Sequence, residues 1–219
     1  MYRILALFGS LIGFSLGVIF GTVAGYRQGT WLDKCVTAVA VAGVSVPHYW
    51  LGMVLVILFS VTWNVLPAMG AGPGGDWVWD LEHLQHVVLP AITISVIPTA
   101  IVTRTVRALV ADILGREFVT ALRAKGLTDF GVFWHVVKNA APTSLAVMGV
   151  QLGYLMGGSI LVETVFSWPG SGFLLNTAIF QRDIPLLQGT ILVLALFFVT
   201  LNLVVDLVQT GIDPRIRRA

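Results

Sequence analysis

The chain is short of charge: only 11% of its 219 residues are Asp, Glu, Lys or Arg, against about 25% in a soluble globular domain. With 57% hydrophobic residues and a mean hydropathy of +0.89, that shortage excludes a water-soluble domain and indicates an integral membrane protein. Cysteine is scarcer still. Cys35 stands alone, so neither a disulfide framework nor a thiolate metal cluster is available, and it reads as a small apolar residue near a helix end. No G-x-x-x-x-G-K-[S/T] sequence occurs, so the chain has no P-loop for ATP. No nucleophile elbow or other catalytic signature appears, and the sequence reads as a non-enzyme without cofactors. No basic run interleaves with aromatics along one face, which excludes a nucleic-acid partner.

What is present is a set of long apolar runs. A helix needs about 20 apolar residues to cross the hydrocarbon core, and five segments qualify: about 4–25, 35–63, 87–110, 143–166 and 186–211. The first is too long for the apolar region of a signal peptide, and Tyr26-Arg27-Gln28 follows it in place of a small-residue cleavage site. The second contains Pro47 and is expected to kink or tilt. Arg104 and Arg107 mark where the third leaves the bilayer.

Eleven of the thirteen basic residues fall on one side of this arrangement: Arg27, Lys34, Arg104, Arg107, Arg116, Arg123, Lys125, Lys138, Arg215, Arg217 and Arg218. The loop between the second and third spans carries Asp76, Asp80 and Glu82 and no Lys or Arg. By the positive-inside rule the basic side is cytoplasmic. The C-terminus is then inside and Met1 outside, an arrangement that suggests a missing upstream span. Tyr26 and Trp31 are expected to anchor one membrane interface, and Trp63, Trp77, Trp79 and Trp168 the other.

Between the third and fourth spans, residues 111–142 form a polar, basic cytoplasmic segment. Loops beyond about 12–15 residues are usually functional or disordered, and an alanine-containing helical stretch, Glu117 to Gly126, argues against disorder. Its terminal glycine marks a helix end, and the segment reads as a docking element for a partner.

Other patterns bear on packing and transport. Gly9, Gly13, Gly17, Gly21 and Gly25 recur every fourth residue, with Gly29 continuing the spacing. They make a smooth groove into which another helix backbone packs. Ser45, Pro47, His48, Tyr49 and Trp50 lie mid-span and either line a translocation pathway or form an internally satisfied kink. Glu163 and Asp206 are the carboxylates expected nearest membrane depth. Each is a pathway group, a proton relay or one half of a buried polar pair; Glu163 can also reach the outer interface, and for Asp206 an intraprotein polar contact is favoured. His83 and His86 beside Asp80 and Glu82 read as an amphipathic entry into the third span in preference to a metal site, and His135 as loop surface.

Several segments, in order along essentially the whole chain, resemble the membrane subunits of binding-protein-dependent ABC importers. The dipeptide/oligopeptide (and nickel) permeases are the nearest type. They are Leu32-Asp33-Lys34, Ser45 to Gly52, Val88 to Ala91, Arg123 to Leu127, Asn139-Ala140, Val162 to Phe166 with Trp168-Pro169-Gly170, and Asp213-Pro214-Arg215. The resemblance implies an ATPase-coupling loop at Glu117, Thr120, Ala121, Leu122, Ala124, Lys125, Gly126 and Leu127. Thr120 stands where the general family signature has Glu, and Asn139 where it has a later proline. The resemblance also implies partners: a second, homologous or identical permease subunit, two cytoplasmic ABC ATPases and an extracytoplasmic solute-binding protein, in a bacterial inner membrane. Family members carry a further N-terminal span.

The expected architecture is an all-α polytopic membrane protein, a single permease domain over residues 1–219 with about five spans. Its expected role is the pore subunit of an ATP-driven importer of di- or oligopeptides. The competing readings are a stand-alone secondary transporter or channel, which calls for repeats or more buried ionisable groups, and a truncated remnant.

Overall fold

The computed structural model describes residues 2–74, 77–156 and 160–212. The arginines at 215, 217 and 218, the Asp213-Pro214-Arg215 segment and Asp76 lie outside the described residues. Those described form helices α1 (Tyr2–Tyr26), α2 (Trp31–Ser45), α3 (His48–Leu55), a π-helical turn (Val56–Thr62), α4 (Leu81–Leu114), α5 (Glu117–Ala124), α6 (Asp129–Met156), α7 (Ile160–Val165), α8 (Ser171–Gln181) and α9 (Ile184–Ile212). No strand occurs among them. Three helical segments are long and apolar enough to cross a membrane: Ile4–Tyr26, Leu81–Leu114 and Ile184–Val208. A bent pair, Trp31–Ser45 with His48–Thr62, makes a fourth if it counts as one span.

The axis of the fold is the pairing of α1 with α4. Along α1 the glycines at 9, 13, 17, 21 and 25 meet Ile94, Pro98, Val102, Val106 and Val110 of α4, a four-residue stride on both helices. Contacts that ascend together along both chains make the helices parallel. The approach is close. A Cβ built on Gly17 would lie 2.7 Å from Val102 Cβ, one on Gly21 2.8 Å from Val106 Cβ, and one on Gly25 2.7 Å from Val110 Cβ. Gly29 has nothing within 4 Å of that position; the packed stripe therefore ends at Gly25, and Gly29 belongs to the turn into α2.

The second expected span is not one helix. Pro47 has no N–H to continue α2, so the chain breaks at Val46–Pro47 and α3 leaves at 97°. Ser45 Oγ donates to the Val41 carbonyl at 2.9 Å, pairing a carbonyl at the helix end. The third span, by contrast, runs straight through Pro90 and Pro98 for 34 residues. The hydroxyls of Thr93, Ser95 and Thr99 donate to the carbonyls of Leu89, Ile92 and Ser95 along it, so these polar side chains are satisfied within their own helix. The helix continues past Arg104 and Arg107 to Leu114.

Helix also takes up most of the expected cytoplasmic loop at 111–142. Only 115–116 and 125–128 are non-helical there, because leaving the bilayer changes side-chain composition and not backbone hydrogen bonding. The expected fourth span is carried by the C-terminal part of α6 and by α7, with residues 157–159 outside the described residues. The fifth matches α9, whose apolar window has no residue buried within the protomer.

Two apolar cores sit at opposite ends of the α1–α4 pair. One gathers Leu5, Ala6, Ala71, Val87, Ala91, Ile94, Leu155 and Trp168. The other gathers Val102, Val106, Val110, Ile113, Val119, Val132, Val136 and Ala140. Trp168 is fully buried in the first, so it is a core residue and not the membrane anchor its position suggested. Trp77 packs against it, with ring centroids 6.3 Å apart. Trp31, Trp63 and Trp79 are exposed.

Candidate functional site

Helix α5 is built to present one face. Arg116 caps its start in extended conformation and reaches back to Asp112 Oδ2 with Nη2 at 2.7 Å. Glu117 in the first turn and Arg123 in the last complement the helix dipole. The end is a Schellman motif: Leu127 N–H donates to the Leu122 carbonyl at 3.2 Å, and Gly126 N–H to that of Arg123 at 2.9 Å. Gly126 takes φ +81° there, a conformation that favours glycine.

Val119 is buried against the core shared by α4 and α6, and Phe118, Leu122 and Leu127 pack around it half-buried. Glu117, Thr120, Ala121, Ala124, Lys125 and Gly126 are left exposed. The outward face of α5 is thus small side chains at its centre, with charged residues at its ends, on a helix clamped from behind.

The five residues at the break of the second span stay together on one corner. Ser45, Pro47, Tyr49 and Trp50 are exposed and His48 is half-buried. The His48 and Tyr49 rings meet edge-on, with centroids 6.5 Å apart. These side chains do not turn into the protomer; they open onto its outside.

Two ionic arrangements escaped the sequence reading. Asp33, in the first turn of α2, is buried at 3% exposure and accepts a fork from Arg107 of α4: Nε to Oδ1 at 2.8 Å and Nη2 to Oδ2 at 2.6 Å. Gly29 N–H adds a bond to Oδ2 at 2.9 Å, and Thr37 Oγ1 one to Oδ1 at 3.4 Å. The available signal was a lone acid among the bases of its end of the chain.

The second is Glu163 of α7, which is buried. Its Oε2 accepts the N–H groups of Gly172 at 2.7 Å and Phe173 at 2.9 Å. These are free donors of the first turn of α8, and the carboxylate sits favourably at that helix's positive end. Of the roles expected for Glu163, the geometry matches the buried polar contact, made here with backbone N–H groups that it caps. A side chain at 170 would collide with it, and one at 172 with the Ile160 backbone at 2.8 Å as well as with Glu163, which accounts for glycine at both. Asp206 lies exposed on α9, facing away from the protomer in place of the intraprotein contact expected.

At the other end, Asp80 caps α4 by accepting His83 N–H at 2.8 Å, and the His83 ring Nδ1 lies 2.7 Å from the same oxygen. These two bonds, the backbone one foremost, hold the Asp80 carboxyl below its ordinary range. His83 is buried on the inner face of this helix entry, with Leu81 and Glu82 exposed beside it. His86 Nδ1 sits 2.8 Å from the Glu82 carbonyl. Among the described residues no cluster of three or more His, Cys, Asp or Glu is arranged to hold a metal ion. His135 and Cys35 are exposed.

Comparison with known proteins agrees with this architecture. The chain is 36% identical over 97% of its length to the dipeptide transport system permease protein DppB of Alkalihalophilus pseudofirmus, spanning 70% of that protein. It is 34% identical over 93% of its length to DppB of Escherichia coli (strain K12), spanning 66% of it. Its fold superposes on a chain of the MetNI methionine ABC transporter in an inward-facing conformation with a TM-score of 0.68, at 17% identity, covering 97% of this chain and 91% of that one. Residues 17–218 match the family model for the binding-protein-dependent transport system inner membrane component, and the chain belongs to that family.

Proposed function

We propose that the chain is the pore-forming permease subunit of an ATP-driven importer of di- or oligopeptides, with α5 as the helix that receives an ATPase partner. The observation that carries this reading is the form of α5. Its back buries Val119 in the apolar core to which α4 and α6 contribute, and its front offers Thr120, Ala121 and Ala124, small enough for close approach by another protein. The peptide substrate rests on the names of the relatives. ATP hydrolysis belongs to a pair of cytoplasmic ATPases, and solute arrives with an extracytoplasmic binding protein.

In this reading the end carrying α5 faces the cytoplasm and the end carrying Trp168 faces outward, as the distribution of basic residues favours. A second permease subunit completes the pore. The exposed corner of Ser45, Pro47, His48, Tyr49 and Trp50 then faces that subunit across the pathway, which explains why polar groups at this depth open onto the outside of the protomer.

The test is a Gly126→Val variant. A β-branched residue is strained at φ +81°, so the helix end should unwind, with loss of ATPase co-purification and of peptide-stimulated ATP hydrolysis while membrane insertion persists. Unchanged co-purification and hydrolysis would contradict the assignment of α5.

A further inference from the structure

Resting on the importer reading above, we infer that Arg107 and Asp33 form a strut that makes α2 move with α4, carrying motion from α5 to the broken span. The α5 helix sits with Val119 in the apolar core that also holds Ile113 of α4 and Val132 of α6. Along its length α4 is locked to α1, because valines at 102, 106 and 110 sit in glycine positions with no room to slide. Helices α1 and α4 form one body, and α5 packs into the core at its end.

Helix α2 is held differently. Only Asp33 and Ala40 are buried in it, and its apolar contact with α4 is one light stripe in which Gly43 rests on Val96 and Ala100. Its start is the exception. The carboxylate of Asp33 is gripped by both arms of the Arg107 guanidinium, and by Gly29 N–H as well. A planar fork against a carboxylate fixes angle as well as distance, which a point-charge contact does not. The pair lies at the end of α2 nearest α5, and the other end is the break at Pro47. At about 1.5 Å per residue the 15-residue helix is a lever of roughly 22 Å. A rotation of α4 at Arg107 therefore reappears at Ser45 and Pro47, and the 97° break lets α2 swing without dragging α3. Arg107 is a positioning residue for transport; it touches neither ATP nor solute.

The experiment uses the complex with its ATPases and binding protein in proteoliposomes, and reads peptide imported per ATP hydrolysed. Arg107→Met and Asp33→Asn should lower that ratio by about tenfold, the scale of a typical coupling between sites. Arg107→Lys should recover part of it, and exposed Arg104→Met should match wild type. A merely structural role would lower import and hydrolysis together and leave the ratio unchanged.

Spin labels at Val39→Cys and Arg104→Cys, on a Cys35→Ser background, give a second reading. Their separation should be the same in nucleotide-free and ATP-trapped wild-type complex, and should differ between those states in Arg107→Met. A wild-type separation that changes with nucleotide, or an Arg107→Met ratio equal to wild type, overturns the strut and leaves the importer reading standing. A wild-type complex without peptide-stimulated hydrolysis overturns the importer reading and the strut with it.

Discussion

Val102 of α4 seats on Gly17 of α1 so closely that a methyl group at residue 17 would stand 2.7 Å from the valine Cβ and 3.2 Å from the Thr99 carbonyl oxygen. Neither neighbour is the free end of a flexible side chain; one is branched at the backbone and the other is backbone. In lipid, where helices gain little from burying apolar surface, this closeness of approach is what holds a pair together.

Gly17→Leu should therefore prevent α1 from seating on α4, with loss of assembly yield and a large fall in thermal stability in detergent. Gly17→Ala should be milder, costing about 1–3 kcal/mol from overpacking. Leu16, at 38% exposure, is the control, and Leu16→Val should change little. Thermal unfolding of the three purified variants decides it: wild-type behaviour of Gly17→Leu would mean the stripe is compositional.

The cap on α8 gives a separate prediction. Glu163→Ala leaves the buried N–H of Gly172 and the half-buried N–H of Phe173 without their acceptor, and should cost about 1–3 kcal/mol for the buried donor and less for the other. Glu163→Gln keeps a carbonyl oxygen in place and should be less damaging. Hydrogen exchange at the start of α8 should rise in Glu163→Ala and little in Glu163→Gln. Equal protection in both variants would show that the carboxylate does not hold the turn.

What could be read from the sequence were features with a local cause. The glycine stride, the break at Pro47 and the end of α5 at Gly126 each follow from one residue type whose backbone or size has a fixed consequence. Contacts between distant segments were not readable in that way. Asp33 and Arg107 are 74 positions apart, and each has an innocuous local reading, one as a loop acid and the other as a boundary base. Trp168 looked like an interfacial aromatic because its neighbours in sequence lie at a span's end, whereas its neighbours in space are Leu5, Ala71 and Val87. The run of α4 to Leu114 was not readable from the charges at 104 and 107, because a change in composition does not stop backbone hydrogen bonding.

Orientation is open to direct labelling. On a Cys35→Ser background, an impermeant thiol reagent applied to intact cells should modify Gly74→Cys, which has open space around it, and should not modify Thr128→Cys between α5 and α6. Both become reactive once the membrane is permeabilised. The reverse pattern would place α5 outside and remove any contact with a cytoplasmic ATPase.

The most direct test of the account is proximity at the face of α5. Ala121→Cys, exposed on that face, should form a cross-link to the ATPase subunit in the assembled, Cys35-free complex, and the yield should change with ATP. Val39→Cys, exposed on α2, should form none under the same conditions. A complex that hydrolyses ATP normally while Ala121→Cys gives no more cross-link than Val39→Cys would contradict the assignment of α5 as the docking helix.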